Sequence, residues 1–246
     1  MKYGSLFSLL SLVLLVKAVV GIRAGEWTMV LIWPAITFAV VGACYFGLGH
    51  WPFGKRRDGS VSLISKLILF PYLFFLEVLW HLTRFVSRER KYDSLSGSVM
   101  IGRRLLSHEL AELNQDIQRT SSFDHIATVV DLSCEFAEPT AIREVPNYLC
   151  IPMLDAESLS PTLMAQAVRE ISAAPRPVYI HCAAGHGRTG LIASLLLVAE
   201  GEVSESDEAL QRVKNSRPLV SLNRRQRSVL EETVCILQHS GAVTRD

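Results

Sequence analysis

Hydrophobic and polar positions divide the chain into two regimes. Up to residue 54 the apolar residues run on without alternation; beyond residue 91 they recur in short runs separated by turn residues. Residues 5–22 are apolar apart from serines and Lys17, and residues 27–49 hold 23 positions without a charge. A helix needs about 20 apolar residues to cross a bilayer, so each run predicts a membrane-spanning helix. Lys17 lies close enough to the end of the first run for its ammonium to snorkel to the headgroups. Pro34 predicts a kink of the kind that membrane helices tolerate. A cleaved signal peptide is the alternative for the first run, since Lys2 precedes an apolar stretch. The small-residue pattern around Ile22-Arg23-Ala24 is poor for cleavage, and cleavage would still leave the second span.

A third apolar stretch, residues 61–86, carries Lys66, Pro71, Glu77, His81 and Arg84, which makes it costly as a spanning helix. Its aromatics, among them Phe70, Tyr72, Phe74, Phe75, Trp80 and Phe85, suit a membrane interface. With two spans and a cytoplasmic N-terminus, Lys55-Arg56-Arg57 and the group Arg84, Arg88, Arg90 and Lys91 fall on the same, cytoplasmic side. A third span would place one cluster outside, against the positive-inside rule. The expectation is two spans followed by an interfacial helix.

From Tyr92 the pattern is that of an alternating α/β domain of 155 residues, enough for one core. β-rich runs occur at residues 99–101, 127–132, 148–153 and 177–181. Helical patterns follow: one opened by Ser160-Pro161 with a first-turn proline, a nearly all-apolar one over 189–200, and amphipathic ones over 207–215 and 221–239, parted by Pro218. The expected organisation is thus a membrane anchor over 1–54, a basic juxtamembrane segment over 55–91 and an α/β domain over 92–246.

Composition sharpens this division. Overall the 246 residues are 49% hydrophobic and 20% charged, which excludes a disordered chain, a low-complexity chain and a small disulfide scaffold. Residues 1–54 hold four charged groups, three basic and one acidic; residues 55–91 hold eight basic and three acidic, a net +5; residues 92–246 hold 14 basic and 20 acidic, a net −6. An acidic domain argues against nucleic acid as a partner, because phosphate backbones need a positive field. A basic collar beside apolar segments suits an anionic leaflet and so membrane lipids. The five cysteines, Cys44, Cys134, Cys150, Cys182 and Cys235, are scattered and odd in number, as in a reducing compartment.

The chemistry concentrates in residues 178–190, VYIHCAAGHGRTG. An apolar strand ends at Cys182, a glycine-containing loop follows, and Arg188-Thr189 opens an apolar helix. Loop N–H groups and the positive helix end favour an anion and the thiolate form of a cysteine, which is the nucleophilic form. Gly185 and Gly187 allow the backbone to turn its N–H groups inward, and Arg188 offers a planar fork to two phosphate oxygens. As an alternative, Cys182 would be a small buried core residue. A metal site at His181, Cys182 and His186 has no second ligand cluster at suitable spacing, so neither metal nor other cofactor is expected.

HCAAGHGRTG resembles the H-C-x-x-G-x-x-R-[S/T] signature loop of the cysteine-based protein tyrosine phosphatases in their compact dual-specificity style. The resemblance implies a central sheet flanked by helices. It implies that Cys182 attacks phosphorus, that Arg188 and the loop residues Ala183, Ala184, Gly185, His186 and Gly187 hold the phosphoryl group, and that Thr189 hydrogen-bonds the sulfur. His181 would support the loop from beneath. His186 is read either as a substrate contact or as a solvent-facing residue. The family also places a general acid on the loop after the preceding strand, which selects Asp155, with Glu157 as substitute; for either, an ordinary loop carboxylate or cap is the plain alternative. Asp131 is read as structural. Residues 217–223 resemble the segment that buttresses the signature loop, with Ser221 as a sensible helix cap. Some relatives protect the nucleophile as a disulfide with a cysteine near the position of Cys134; an inert thiol is the alternative.

The expected activity is phosphomonoester hydrolysis through a phosphocysteine by a membrane-anchored enzyme whose catalytic domain is cytoplasmic. Protein phosphotyrosine, with phosphoserine and phosphothreonine, is the first substrate class. A phospholipid is the alternative; phosphoinositide-directed relatives tend to carry lysines in the loop, where this chain has Ala183 and Ala184, which leaves phosphatidylglycerophosphate-type lipids open. An inactive phosphate-binding adaptor is the third reading, opposed by the intact Cys182, Arg188 and Thr189.

Overall fold

The computed structural model describes residues 2–242, with side chains described through His239. The chain forms two compact units. One is built from residues up to Arg56 with Ser60–Ser87 and Cys134–Ala137; the other from Arg57–Gly59, Arg88–Ser133 and the chain from Glu138 onward.

In the first unit, helix α1 (Lys2–Arg23) turns at Gly25, where φ is +79°, and returns as α2 (Ile32–Ala43), which continues as a π-helical turn over Cys44–Leu48. Two helical stretches, Lys2–Arg23 and Thr28–Leu48, are long and apolar enough to cross a membrane by length and composition. They are antiparallel, and small residues let them approach. A Cβ on Gly42 would lie 2.7 Å from Ser8 Oγ and 3.3 Å from the Gly4 carbonyl, so the contact requires glycine. Hydroxyls cross the seam to carbonyls, Ser11 to Ala35 at 2.7 Å and Thr28 to Ala18 at 3.0 Å.

The third apolar stretch is broken. Helix α3 (Leu63–Ile68) has six residues and α4 (Phe70–Val86) has 17, with Pro71 in the first turn of α4. Pro71 has no N–H to give the Leu67 carbonyl, one turn earlier. That carbonyl accepts instead from Trp33 Nε1 at 3.2 Å, and the neighbouring Ile68 carbonyl accepts from Thr37 Oγ1 at 2.7 Å. Tyr72 then packs edge-on against Phe7 and Phe38. Cys134–Ala137 joins this unit through Lys55, whose ammonium donates to the Phe136 carbonyl, and through Trp80, whose ring centre lies 6.3 Å from that of Phe136.

The second unit is an α/β body around a five-stranded sheet of order β1-β2-β5-β3-β4. Strand β1 (Tyr92–Ser96) is antiparallel to β2 (Val99–Arg103); β3 (Thr128–Ser133), β4 (Asn147–Met153) and β5 (Val178–Cys182) pair in parallel. Side chains alternate across the sheet, as strand geometry demands. Val178, Ile180 and Cys182 of β5 enter the larger core, while Tyr179 enters a second core on the other face. The larger core also takes in α7 (Pro161–Ser172), α8 (Gly187–Ala199), α9 (Ser206–Ser216) and α10 (Arg224–Ala242). Helix α8 is buried continuously from Arg188 to Val198, which explains its lack of a polar face.

Two helices, α5 (Ser107–Thr120) and the short α6 (Thr140–Arg143), lie outside the elements expected from the pattern. Helix α5 is mostly polar and buries only a narrow stripe, Glu109, Leu110, Leu113 and Ile117, in the second core. The start of α10 also shifts. Its cap is Asn223, not Ser221: Asn223 Oδ1 accepts from the Gln226 N–H at 2.9 Å and Gln226 Oε1 accepts from the Asn223 N–H at 3.2 Å, a reciprocal capping box.

Candidate active site

Strand β5 is the middle strand, and its carboxyl end opens where parallel strands on either side feed helices, the usual position for a ligand crevice. Cys182 ends this strand and is buried. The following loop folds back on it, so that the Gly185 N–H donates to Cys182 Sγ at 3.2 Å. This turn needs glycine at 185. Its φ is +78°, and a Cβ there would lie 2.4 Å from the Gly102 carbonyl group of β2.

Three loop carbonyls face outward and are each held. The Arg104 N–H donates to Ala183 O at 3.2 Å, Arg217 Nη2 to Ala184 O at 3.1 Å, and Arg217 Nε to Gly185 O at 2.9 Å. A peptide unit whose oxygen is pulled outward turns its N–H inward, so the loop presents a concave row of donors beside the N-terminus of α8. Such a nest binds a tetrahedral oxyanion.

Arg188, in the first turn of α8, is almost fully buried. Its fork donates to Met153 O at 2.8 Å and to Asp155 Oδ1 at 3.2 Å. Asp155 itself is 68% exposed, at the end of β4. The two candidate carboxylates on this loop have different partners: Asp155 faces Arg188, whereas Glu157 pairs with Arg225 at 2.5 Å. The loop is held from the start of α10, where Asn223 Nδ2 donates to Ala156 O at 2.7 Å and Gln226 Nε2 to Glu157 O at 3.3 Å. Ala156 adopts a φ of +58°, unusual for a residue with a side chain.

Beneath the loop lies a buried polar layer. His181 stacks on Tyr179, with ring centres 5.5 Å apart, and its Nδ1 lies 3.4 Å from Cys182 O. Donor atoms of His181, Asp131 and Glu138 lie within 4.8 Å of one another, and all three residues are buried. That grouping could hold a cation, but protein donors already occupy it. Asp131 accepts from Ser133 N at 2.9 Å, Ser133 Oγ at 2.7 Å and Tyr148 Oη at 2.7 Å, and Arg104 Nε lies 3.2 Å from Glu138. Burial, with Asp131 beside it, pushes the Tyr148 hydroxyl far above its ordinary pKa, so it stays a donor. Asp131 therefore sits in a structural role. Thr189 is fully buried and its Oγ1 makes no hydrogen bond among the described residues; the sulfur's donor is Gly185 instead.

His186 turns out of the cradle. Its Nε2 lies 2.9 and 2.8 Å from the two oxygens of Glu89. Arg217, fully buried, pairs with Asp93 at 2.7 Å and Glu89 at 3.0 Å. Sequence reasoning singled out the loop, Asp155 and the 217–223 segment, but not Glu89, Arg104 or Gln226, nor Asn223 as the cap of α10. The Asn223-x-x-Gln226 spacing was the one local signal for the last two.

The sequence profile described as Swiss Army Knife protein, DSP-PTPase phosphatase domain (PTP-SAK), matches residues 98–234. No curated protein matches the chain. Among solved structures, Tk-PTP in its active form is 24% identical, aligned over 58% of this chain and 96% of its own, with a TM-score of 0.50. PTPMT1 in complex with PI(5)P is 18% identical over 62% of this chain and 99% of its own, with a TM-score of 0.52. Human DUSP28 is 18% identical over 61% and 96%, with a TM-score of 0.50. At these identities the structures establish a shared fold, and the profile, covering more than half of the sequence, establishes the family. The chain belongs to the PTP-SAK family of DSP-type, cysteine-based phosphatase domains.

Proposed function

We propose that the protein is a membrane-anchored phosphatase that hydrolyses phosphomonoesters through a phosphocysteine, with Cys182 as nucleophile. The observation that carries this reading is the convergence of Cys182 Sγ, the N–H groups of residues 184–186, whose peptide oxygens are held outward, and the Arg188 fork, which itself touches Asp155. The thiolate of Cys182 attacks phosphorus, forming the S–P bond as the P–O bond to the leaving group breaks. Arg188 and the loop N–H groups hold the equatorial oxygens through this step. Asp155, protonated, gives its proton to the departing oxygen. The resulting carboxylate then takes a proton from the water that attacks the phosphocysteine, which releases phosphate and regenerates the thiolate. Glu157 is the weaker candidate, because Arg225 engages it. His181 and the buried layer around it support the loop, and Thr189 lies beside it.

Protein phosphotyrosine is the first substrate class. The loop side chains Ala183 and Ala184 carry no charge and His186 faces Glu89, so the positive charge of the cradle comes from Arg188, which suits a single phosphoryl group. A phospholipid monoester is the second reading, favoured by the two apolar helices and by the fold shared with PTPMT1, which has been solved with PI(5)P. We place α1 and α2 across a bilayer, with α3 and α4 at its surface and the catalytic body, beginning at Arg88, in the cytoplasm. Part of the collar is engaged internally: Lys91 pairs with Glu112, and Arg84 lies over the Trp80 ring.

The test is turnover by the full chain in vesicles. Vanadate-sensitive, chelator-insensitive hydrolysis of an aryl phosphate, abolished in Cys182→Ser, is expected; activity abolished by EDTA or retained in Cys182→Ser overturns the mechanism. Parallel assays on phosphotyrosyl peptides and on phospholipid monoesters decide the substrate class, and a C-terminal reporter active only outside the cytoplasm refutes the topology.

A further inference from the structure

The segment between α4 and β1 reaches the signature loop through one carboxylate. Glu89 binds His186 of the loop with both oxygens and pairs with Arg217 at 3.0 Å, while its own side chain is 18% exposed. It lies outside residues 98–234, so the family profile does not supply it. Exposed ion pairs contribute little, but Arg217 is wholly buried, and a buried guanidinium needs counter-charges and acceptors to stay in place. It has two counter-charges, Asp93 and Glu89.

What Arg217 holds gives this pairing a consequence. Its contact with Ala184 O orients the peptide unit whose N–H, that of Gly185, bonds Cys182 Sγ. Its contact with Gly185 O orients the next unit, whose N–H belongs to His186. The His186 side chain is tied to the same carboxylate. Arg217, held by Glu89, Asp93 and the Arg90 carbonyl, thus orients two successive peptide planes of the oxyanion nest, and Glu89 also holds the side chain that follows them.

We propose that Glu89 is a positioning residue for the phosphate cradle, acting through His186 and Arg217, so that the segment entering the domain sets oxyanion affinity. The role rests on the phosphatase reading of the loop, but it is measured separately from turnover. In the full chain, Glu89→Gln is nearly isosteric, keeps one acceptor and removes the charge. It is expected to weaken tungstate binding, read by calorimetry, about tenfold, as for loss of a charge-assisted contact. The KM for an aryl phosphate should rise by the same factor, with kcat changed less than about threefold. His186→Ala should do part of the same, and the double variant should be no worse than Glu89→Gln alone, because the two act through one contact. Strictly additive effects overturn the proposal. So does a fall in kcat with unchanged KM and tungstate affinity, the mark of a lower folded fraction. If wild type binds tungstate in a Glu89-dependent way but hydrolyses no phosphomonoester, the catalytic reading falls and the positioning role stands.

Discussion

The closest backbone approach in the site yields a quantitative test at Gly185. Replacing it with alanine has two separable costs. The residue sits at φ +78°, and a left-handed conformation costs an L-residue about 1–2 kcal/mol. The new Cβ would also lie 2.4 Å from the Gly102 carbonyl atoms and 2.7 Å from the Arg103 nitrogen. These are backbone atoms of β2, paired in register with β5, and cannot rotate aside. Relieving such an overlap by backbone shifts costs about 1–3 kcal/mol more, for a total of about 2–5 kcal/mol. Gly201 supplies the control: its φ is +73°, yet a Cβ there meets nothing within 4 Å, so Gly201→Ala carries the conformational cost alone. Urea unfolding of the detergent-solubilised full chain should place Gly185→Ala below Gly201→Ala by about 1–3 kcal/mol. Tungstate affinity should fall only in Gly185→Ala, because the loop must move away from β2 to accommodate the methyl group. Equal stabilities, or a Gly185→Ala protein with wild-type tungstate affinity, would refute the claim that close packing on Gly102 shapes the cradle.

Other consequences are equally direct. Asp155→Asn keeps the contact to Arg188 but has no proton to transfer, so turnover on substrates with poor leaving groups should fall about 10²- to 10⁴-fold while activated aryl esters suffer less; a uniform loss across leaving groups would assign the acid elsewhere. Thr189→Val replaces a buried hydroxyl that has no hydrogen bond among the described residues with an apolar group of similar shape, and is expected to leave thermal stability equal or higher; a loss above about 1 kcal/mol would show a hydrogen bond at Oγ1. Burial raises the Glu109 carboxyl pKa, but the paired bonds from Arg103 at 2.7 and 3.0 Å and the Leu106 N–H bring it below its ordinary value. A carboxylate depressed on folding adds stability at neutral pH that is lost as pH falls through its folded pKa. Acid titration of stability should therefore be flatter below about pH 4.5 in Glu109→Gln; identical acid limbs would contradict this.

Much of this molecule is determined along the chain itself. Two apolar runs of about membrane length, a strand ending in Cys182 and a loop that must turn at Gly185 before Arg188 are local features, because each rests on the properties of consecutive residues. Asp155 is singled out by the family resemblance, just after a strand, and it lies 3.2 Å from Arg188. Helix α5 escaped the pattern because its buried stripe is narrow, and the cap of α10 moved from Ser221 to Asn223 because a cap is decided by which side chain reaches the free N–H groups. Tertiary structure decided which groups hold Arg217 and the loop in place. Glu89, Asp93, Arg104 and Arg217 lie far apart in sequence, yet Arg217 and the Arg104 N–H hold the loop carbonyls, and Glu89 and Asp93 hold Arg217. Their identities as charged residues say only that each prefers solvent or a partner. Which partner follows from strand order, since placing β5 between β2 and β3 brings the entry segment, the β2 edge and the buttress to a single turn of backbone.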